Sequence, residues 1–540
     1  MSRALVLGAL VAGCTLAASL LLGEVLGSAG GSISSSATIR VEATLPVAPV
    51  GDILGAVVNE NYWSMGDPVH PDWFDDHLGR TVEAVGRLAP INGRKFAVRF
   101  GHTPTDGSWG KDGYHWLDAL DPEGWDTSID EFLDYVNLVE GEPYVGVNFG
   151  SGTADEAAGM VAYTNGTDPS NPFVGKRIAR GRAEPYQVRH WIIGFEQYAP
   201  WETGHLGDRA YDYANPEAIN GGDPAWHGRP SSNPADFAAR AAEYARKMRA
   251  ASPIPIRVYV PINNWDLAYW GGPDASSAAV LKPLVGLVDG VSVHFYPSNP
   301  GYGETNKDLL GRPDTLGERL DLLRALLYRY GGRDQKLEVV DVEYNNRSSS
   351  NGQTHQLVNG LFVADTLRVL ATKGVTSAFY FAISAPKGSS SGFTYFEKGD
   401  VDRVTPTYLA TYLVAQNLGS EVVKSEASRS KLVTAPGGTT GAFSYPSLST
   451  LASLAPDRKT LYLLVINKHL LHDQAAEVKL DGVRVNGKVR TMLLTGSSAG
   501  ATAGETRLEE SEIAVGSAFS YLFPAHSVTG MRIPLAAPIP

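Results

Sequence analysis

Two glutamates stand where strand-forming runs end, and they are the residues of this chain best suited to chemistry. Glu196 closes the run Trp191-Ile-Ile-Gly-Phe, and Glu343 closes the run Leu337-Glu-Val-Val-Asp-Val. A carboxylate at the edge of a buried apolar strand costs free energy, so two such placements indicate a functional role. Hydrolysis of a glycosidic bond needs two carboxyl groups, because one protonates the leaving oxygen and the other attacks or stabilises the anomeric carbon. The pair therefore predicts hydrolysis of O-glycosyl bonds.

The elements that must position these glutamates are strands that recur along the chain with helical patterns between them. The eight predicted strands are 53–59, 96–100, 144–148, 191–195, 257–261, 291–295, 337–342 and 377–382. Helical patterns cover 154–163 and 357–373, and Thr315 with Glu318 predicts a capped helix start. Strands that alternate with helices over this length predict a (β/α)8 TIM barrel. A doubly wound parallel sheet has the same alternation and is the alternative.

Polar side chains gather at the ends of these strands, which favours the barrel because the C-terminal ends of all barrel strands meet at one mouth. We predict that substrate is bound there by Arg99, Asn148, Gln197, Tyr198, Asn263, Trp265, His294, Tyr296 and Asn345. Arg99 is also expected to orient Glu343, although an arginine at a strand end often forms a purely structural ion pair. His294 by itself is typical of a buried core histidine, and its place at a strand end before Phe295 and Tyr296 favours a role in the site. Trp265 is expected to stack on a sugar ring or to pack its loop.

The pattern changes after about residue 403 to short β runs separated by turns, which is typical of a β-sandwich. Residues 37–45 alternate apolar and polar and are expected to join that sandwich. We divide the chain into a signal peptide or N-terminal anchor with a linker over 1–36, an N-terminal strand of the sandwich over 37–51, a catalytic barrel over 52–402, and a β-sandwich over 403–540.

The N-terminus predicts export. Residues 4–23 are almost unbroken apolar sequence, followed by a Gly- and Ser-rich stretch, which is typical of a secretory signal. The apolar run is also about as long as a membrane-spanning helix, so an uncleaved anchor remains the alternative. We therefore expect a secreted or extracellular protein, with attachment to a membrane as the alternative. Cys14 is the only cysteine, so no intrachain disulfide can form.

Composition narrows the classes of partner. The chain has 46 Lys and Arg against 58 Asp and Glu, a net charge of −12, and no basic run, which argues against nucleic acid. Asp121, Asp126 and Asp130 lack the ligand spacing of a calcium loop, and we predict neither a metal nor a cofactor. With 10 Trp and 24 Tyr, the composition suits a polysaccharide or oligosaccharide substrate. The oligomeric state stays open.

Four short motifs occur in order along the predicted barrel. They are Val98-Arg99-Phe-Gly101, Glu142-Pro-Tyr-Val-Gly-Val-Asn148-Phe-Gly150, Trp-x-Ile-Gly-x-Glu over 191–196, and Val291-Ser-Val-His294-Phe-Tyr296. Their order resembles the clan A retaining glycoside hydrolases, and most closely the family 51 α-L-arabinofuranosidases and their relatives. The resemblance implies that Glu196, after the fourth strand, is the acid/base, and that Glu343, after the seventh, is the nucleophile. It also implies arabinofuranosidase activity or a related glucanase or xylanase activity.

One position departs from the family. The family has an asparagine before its acid/base that binds the sugar 2-hydroxyl, and this chain has Phe195. An apolar ring cannot make that hydrogen bond, so we expect Gln197, Asn263 or Asn345 to replace it. Phe195 favours the alternative of a carbohydrate-binding or cell-surface protein that keeps the barrel without hydrolysis. The intact carboxylate pair favours the enzyme.

Overall fold

The structure is a computed structural model. It describes residues 37–58, 81–100, 116–117, 120, 128–150, 152–198, 233–263, 269–297, 305–346, 352–384, 393–397, 400, 402–438 and 441–540. The predicted site residue Trp265 and the N-terminal segment 1–36 lie outside these ranges. Within these ranges, no helix combines the length and the apolar character that crossing a membrane requires.

Eight parallel strands close into a barrel. Strand β1, Ala37–Pro49, precedes them and belongs to the C-terminal sheet. The barrel strands are β2 Gly55–Val57, β3 Ala97–Phe100, β4 Glu142–Val147, β5 His190–Ile193, β6 Arg257–Pro261, β7 Gly290–Phe295, β8 Glu338–Tyr344 and β9 Ser377–Tyr380. Ala56 of β2 pairs with Tyr380 of β9 and closes the ring. The predicted barrel is confirmed, and the doubly wound alternative is wrong because an open sheet has no such closing pair.

Helices pack around the barrel strands. They are α1 Ile129–Leu138, α2 Ala154–Asn165, α3 Pro172–Ala179, α4 Pro234–Ala251, α5 Gly272–Leu284, α6 Asn306–Tyr330, α7 Leu357–Thr372 and α8 Pro406–Ala415. The predicted helix start at Thr315 is wrong, because α6 begins ten residues earlier at a capping box formed by Thr305 and Asp308. Buried Leu309 and Leu310 extend the apolar face of α6 upstream, so the helix gains packing by starting there.

Two apolar layers hold the barrel together. The inner layer fills the barrel and includes Tyr144, Ile192, Tyr259, Val340 and Phe379. The outer layer lies between the strands and the helices, and its residues alternate along each strand with those of the inner layer. Because each barrel strand is buried on both faces, a charged side chain inside the barrel must find a partner there.

The C-terminal part is a predominantly antiparallel sheet of nine strands in the order β17-β16-β19-β14-β13-β10-β1-β15-β18. Its C-terminal strands are β10 Glu421–Ser428, β13 Leu448–Leu454, β14 Thr460–Asn467, β15 Gln474–Asp481, β16 Lys488–Gly496, β17 Thr506–Ala514, β18 Ala518–Phe523 and β19 Ser527–Pro534, while β11 Leu432–Ala435 and β12 Phe443–Pro446 form a separate hairpin. Val489 of β16 and Phe523 of β18 come from opposite sides of the strand order but share one apolar core. The sheet therefore wraps around that core as a β-sandwich.

A buried ion cluster joins the sandwich to the barrel helices. Lys468, just after β14, is completely buried, and its Nζ lies 3.1 Å from Oδ2 of Asp365 on α7. Arg368 on α7 pairs with the same carboxylate and with Asp314 on α6. Charges at such depth are tolerated only when they are paired, so the cluster fixes how the two parts of the chain meet.

Candidate active site

Glu196 follows β5, the fourth barrel strand, at a sharp turn of the backbone. Gly194 and Glu196 have φ angles of +70° and +46°, in the left-handed region. A Cβ atom on Gly194 would lie 2.9 Å from Cγ of Gln197, so the turn requires glycine there. The left-handed conformation is costly for glutamate and is concentrated at functional sites. Oε1 of Glu196 accepts a hydrogen bond from the hydroxyl of Tyr198 at 3.4 Å.

Glu343 lies near the end of β8, the seventh barrel strand, and both its carboxylate oxygens are bound. Nη2 of Arg99 donates to Oε1 at 2.8 Å, and the hydroxyl of Tyr296 donates to Oε2 at 2.9 Å. The pairing of Arg99 with Glu343, expected from the sequence, is therefore present. A buried carboxylate held through both oxygens has a fixed direction, as an attacking group requires.

A β-bulge explains how Glu343 points into the barrel. Val342 packs in the inner layer, and consecutive residues of a regular strand face opposite sides. The register between β7 and β8 shifts after Val293, so that His294 pairs with Glu343. A bulge lets two successive residues face the same side, and bulges are common next to active sites.

His294 connects the two glutamates. Its Nδ1 atom lies 3.1 Å from Oε1 of Glu196 and 3.6 Å from Oε2 of Glu343. Oε1 of Glu196 and Oε2 of Glu343 therefore lie no farther apart than the sum of their distances from this nitrogen. The two carboxylates therefore lie close together at the C-terminal end of the barrel.

Burial shifts the titration of two neighbours of Glu343. Desolvation, and then the charge of Glu343, raise the pKa of Tyr296 well above its ordinary value of 10.0. The hydroxyl therefore remains a donor to Glu343. Desolvation also raises the pKa of Asp341 well above its ordinary value of 3.8, against a backbone hydrogen bond from Glu343 that lowers the pKa, and the charge of Glu343 makes a smaller upward contribution. Both shifts disfavour a second negative charge beside Glu343.

Known proteins that are similar to this chain in sequence and in fold include α-L-arabinofuranosidases. The sequence model of the alpha-L-arabinofuranosidase 1 domain matches residues 100–220. The chain is 24% identical over 462 residues to the "Probable alpha-L-arabinofuranosidase C" of Aspergillus flavus, covering 78% of this chain and 82% of that protein. The solved α-L-arabinofuranosidase of Thermotoga maritima in complex with arabinose has a TM-score of 0.72, at 22% identity, and covers 92% of this chain and 100% of its own. The family 51 enzyme of Thermotoga petrophila has a TM-score of 0.71 at 21% identity, covering 92% of this chain and 99% of its own.

The chain is a glycoside hydrolase, and its similarities support a place in clan A close to family 51. In this glycoside hydrolase, the three amides expected to replace the missing asparagine all bond the main chain. Gln197 donates to the carbonyl of Phe195 at 3.2 Å, Asn263 to that of Tyr269 at 2.6 Å, and Asn345 to that of Phe381 at 2.7 Å. All three amide side chains are buried. These bonds give the amides a role in shaping the strand ends, while their role in binding substrate remains a prediction.

Asn148 lies half-buried after β4, and its carbonyl is held from a helix. Tyr244 of α4 donates to this carbonyl at 3.1 Å, and Arg240 of α4 donates to the carbonyl of Phe149 at 2.8 Å. Sequence reasoning missed Arg240 and Tyr244. Their spacing of four residues on one helical face was the available signal.

The sequence did not predict the surroundings of the Phe195 side chain in the glycoside hydrolase site. The ring is 1% exposed, packs in the inner barrel layer, and lies against Arg99, whose Cζ is 4.3 Å from the ring centroid. Across the described ranges, no group of three or more His, Cys, Asp or Glu side chains is arranged to hold a metal ion.

Proposed function

We propose that the protein hydrolyses α-L-arabinofuranosidic bonds of a polysaccharide or oligosaccharide by double displacement, with retention of configuration. The arrangement of Glu343 and Glu196 around His294 carries this proposal, because it puts two carboxylates beside one imidazole at the ends of the fourth and seventh strands. The arabinofuranosidase names of the similar proteins support the choice of sugar.

The first step needs a nucleophile and an acid. Glu343 attacks the anomeric carbon while Glu196 gives its proton to the departing glycosidic oxygen, which leaves with the electron pair of the broken bond. Arg99 and Tyr296 hold both oxygens of Glu343, so the attacking lone pair is already aimed.

The second step reverses the roles. Glu196, now a carboxylate, takes a proton from water, and the resulting oxygen nucleophile attacks the anomeric carbon and breaks its bond to Glu343. The side chain of Glu196 is 18% exposed and that of Glu343 is 7% exposed. The more exposed carboxylate is thus assigned the step that requires water.

A panel of aryl glycosides tests the sugar and the reaction together. We expect hydrolysis of 4-nitrophenyl α-L-arabinofuranoside, with NMR of the first product showing the α anomer, and no hydrolysis by Glu343→Gln. Selective hydrolysis of a β-xyloside or β-glucan would instead assign a xylanase or glucanase. Binding of arabinan without hydrolysis of any substrate would support the non-catalytic alternative.

Export is part of the proposal and rests on the apolar sequence over 4–23. Expression of the full chain and of a variant lacking residues 2–36, followed by fractionation and mass spectrometry, tests it. A mature N-terminus near residue 30 in the medium supports secretion. The intact chain in the membrane fraction supports an anchor, and the intact chain in the cytosol contradicts export.

A further inference from the structure

Phe195 occupies the position at which the resembled family binds the sugar 2-hydroxyl, but its side chain is turned toward the barrel interior. It packs in the same inner apolar cluster as Ile192, Tyr259 and Val342. One of its contacts is with Arg99, whose Cζ lies 4.3 Å from the ring centroid. The ring therefore faces the guanidinium that binds Glu343.

Arg99 depends on this ring because its other contacts are few. The side chain is fully buried, and Nη2 donates to Glu343 at 2.8 Å. Nε and Nη1 are buried and have no hydrogen-bond partner in the described part of the chain. A single hydrogen bond leaves a planar guanidinium able to rotate about that contact. The face of an aromatic ring attracts a cation and favours a stacked guanidinium, which supplies a second constraint.

We propose that Phe195 is a positioning residue of the glycosidase reaction, whose ring holds Arg99 in the plane in which Nη2 meets Glu343; this inference rests on the proposed function. Phe195 is also joined directly to Glu196 along the chain. One residue is thus linked to the acid/base by a peptide bond and to the nucleophile through Arg99.

Replacement of the ring by a branched aliphatic chain tests the role. Phe195→Leu keeps an apolar side chain and removes the aromatic face. It should lower kcat/KM for 4-nitrophenyl α-L-arabinofuranoside by about twofold to thirtyfold, the range expected for a lost cation–π contact. Phe379→Leu is the matched control, because Phe379 is equally buried in the same inner cluster and stacks edge-on to Tyr144. It should lower thermal stability and leave kcat/KM within about twofold of wild type.

The pH profile separates positioning from general loosening of the core. With Arg99 less well held, Glu343 loses part of the positive field that favours its charged form, so the acidic limb of kcat/KM should move to higher pH in Phe195→Leu. The other titratable groups that the described residues place around Glu343, among them His294, Tyr296, Glu196 and Asp341, are unchanged in both variants. Phe379→Leu should therefore keep the acidic limb of wild type.

A double-mutant cycle with Arg99→Met tests the contact through protein stability, which can be measured without enzyme activity. The double variant should lower the thermal unfolding midpoint by less than the sum of the decreases caused by Phe195→Leu and Arg99→Met. Each single substitution already removes the same contact between the ring and the guanidinium. Additive losses, or an activity and acidic limb in Phe195→Leu equal to those of Phe379→Leu, overturn the inference. Failure of wild type to hydrolyse any glycoside overturns the proposed function, and the cycle still decides whether the ring holds Arg99.

Discussion

The hydroxyl of Tyr296 donates a hydrogen bond to Oε2 of Glu343 at 2.9 Å, on the carboxylate oxygen that Arg99 leaves free. The assigned nucleophile is thus held by a neutral donor on one oxygen and by a cation on the other. A hydroxyl donor orients a carboxylate without cancelling its negative charge. Tyr296 can therefore fix the direction of the Glu343 carboxylate and leave it charged for attack on the sugar.

Tyr296→Phe should keep the fold and slow the reaction. A hydrogen bond to a charged group is worth about 1.5–3 kcal/mol, which corresponds to a loss in kcat/KM of roughly tenfold to more than a hundredfold. Steady-state kinetics with an aryl arabinofuranoside measure it, and the thermal unfolding midpoint checks that the variant is folded. Unchanged kcat/KM in a folded variant would show that the bond to Glu343 does not assist attack.

Glu196→Ala should retain the first chemical step on substrates with good leaving groups and lose the second. Such leaving groups need no proton, whereas water attacking the glycosyl-enzyme needs a base. Added azide should restore turnover and give a glycosyl azide of retained configuration, identified by NMR. An azide product of inverted configuration from this variant, or rescue of Glu343→Ala with retention, would reverse the two assignments.

His190 should make the protein less stable as the pH falls from about 6.5 to about 4. Burial, followed by the charges of Arg257 and Arg189, lowers the pKa of His190 from 6.5 to about 4. Between these values the unfolded chain binds the proton and the folded chain does not, so the unfolded state is favoured progressively as the pH decreases. The full effect is about 3 kcal/mol at the acid end of this window.

His190→Phe should flatten that pH dependence. The phenyl ring can keep the stack on Tyr144, whose ring centroid lies 4.1 Å from that of His190, but it carries no titrating group. Thermal unfolding midpoints from pH 8 to pH 4 measure the effect, and the difference between the proteins at pH 8 gives the cost of altered packing alone. An equally steep decrease in the variant would assign the acid sensitivity to other groups.

Lys468→Met should destabilise the junction between barrel and sandwich. The lysine is fully buried beside Asp365, and breaking a buried ion pair from one side costs up to about 3–5 kcal/mol, of which Arg368, paired with the same carboxylate, offsets a part. Lys373→Met is the control, since its pair with Asp321 is largely exposed and such pairs contribute about 1 kcal/mol or less. Differential scanning calorimetry compares the two. Equal shifts in the unfolding midpoint would mean that the cluster around Lys468 does not hold the junction.

The strands, their order and the two glutamates could be predicted from the sequence because their signals are local. A short apolar run rich in β-branched and aromatic residues and bounded by turn residues indicates a buried strand, and a carboxylate at its end is visible without knowing the neighbours. Glu196 and Glu343 were therefore assigned to the fourth and seventh strands, as the closed barrel confirms. The start of α6 was misplaced, because Thr315-x-x-Glu318 and Thr305-x-x-Asp308 are equivalent capping patterns and the packing of Leu309 and Leu310 selects between them.

The directions of the side chains depend on contacts between residues far apart in the chain. Arg99 and Glu343 are 244 positions apart and meet because the barrel closes, and the bulge opposite His294 turns Glu343 inward against the period of its own strand. The same closure brings Phe195 against Arg99, a contact that the local sequence does not predict. A strand pattern determines which residues alternate along the strand. The assembled fold determines which residue each side chain faces across the barrel, the register between strands and the space left for each side chain.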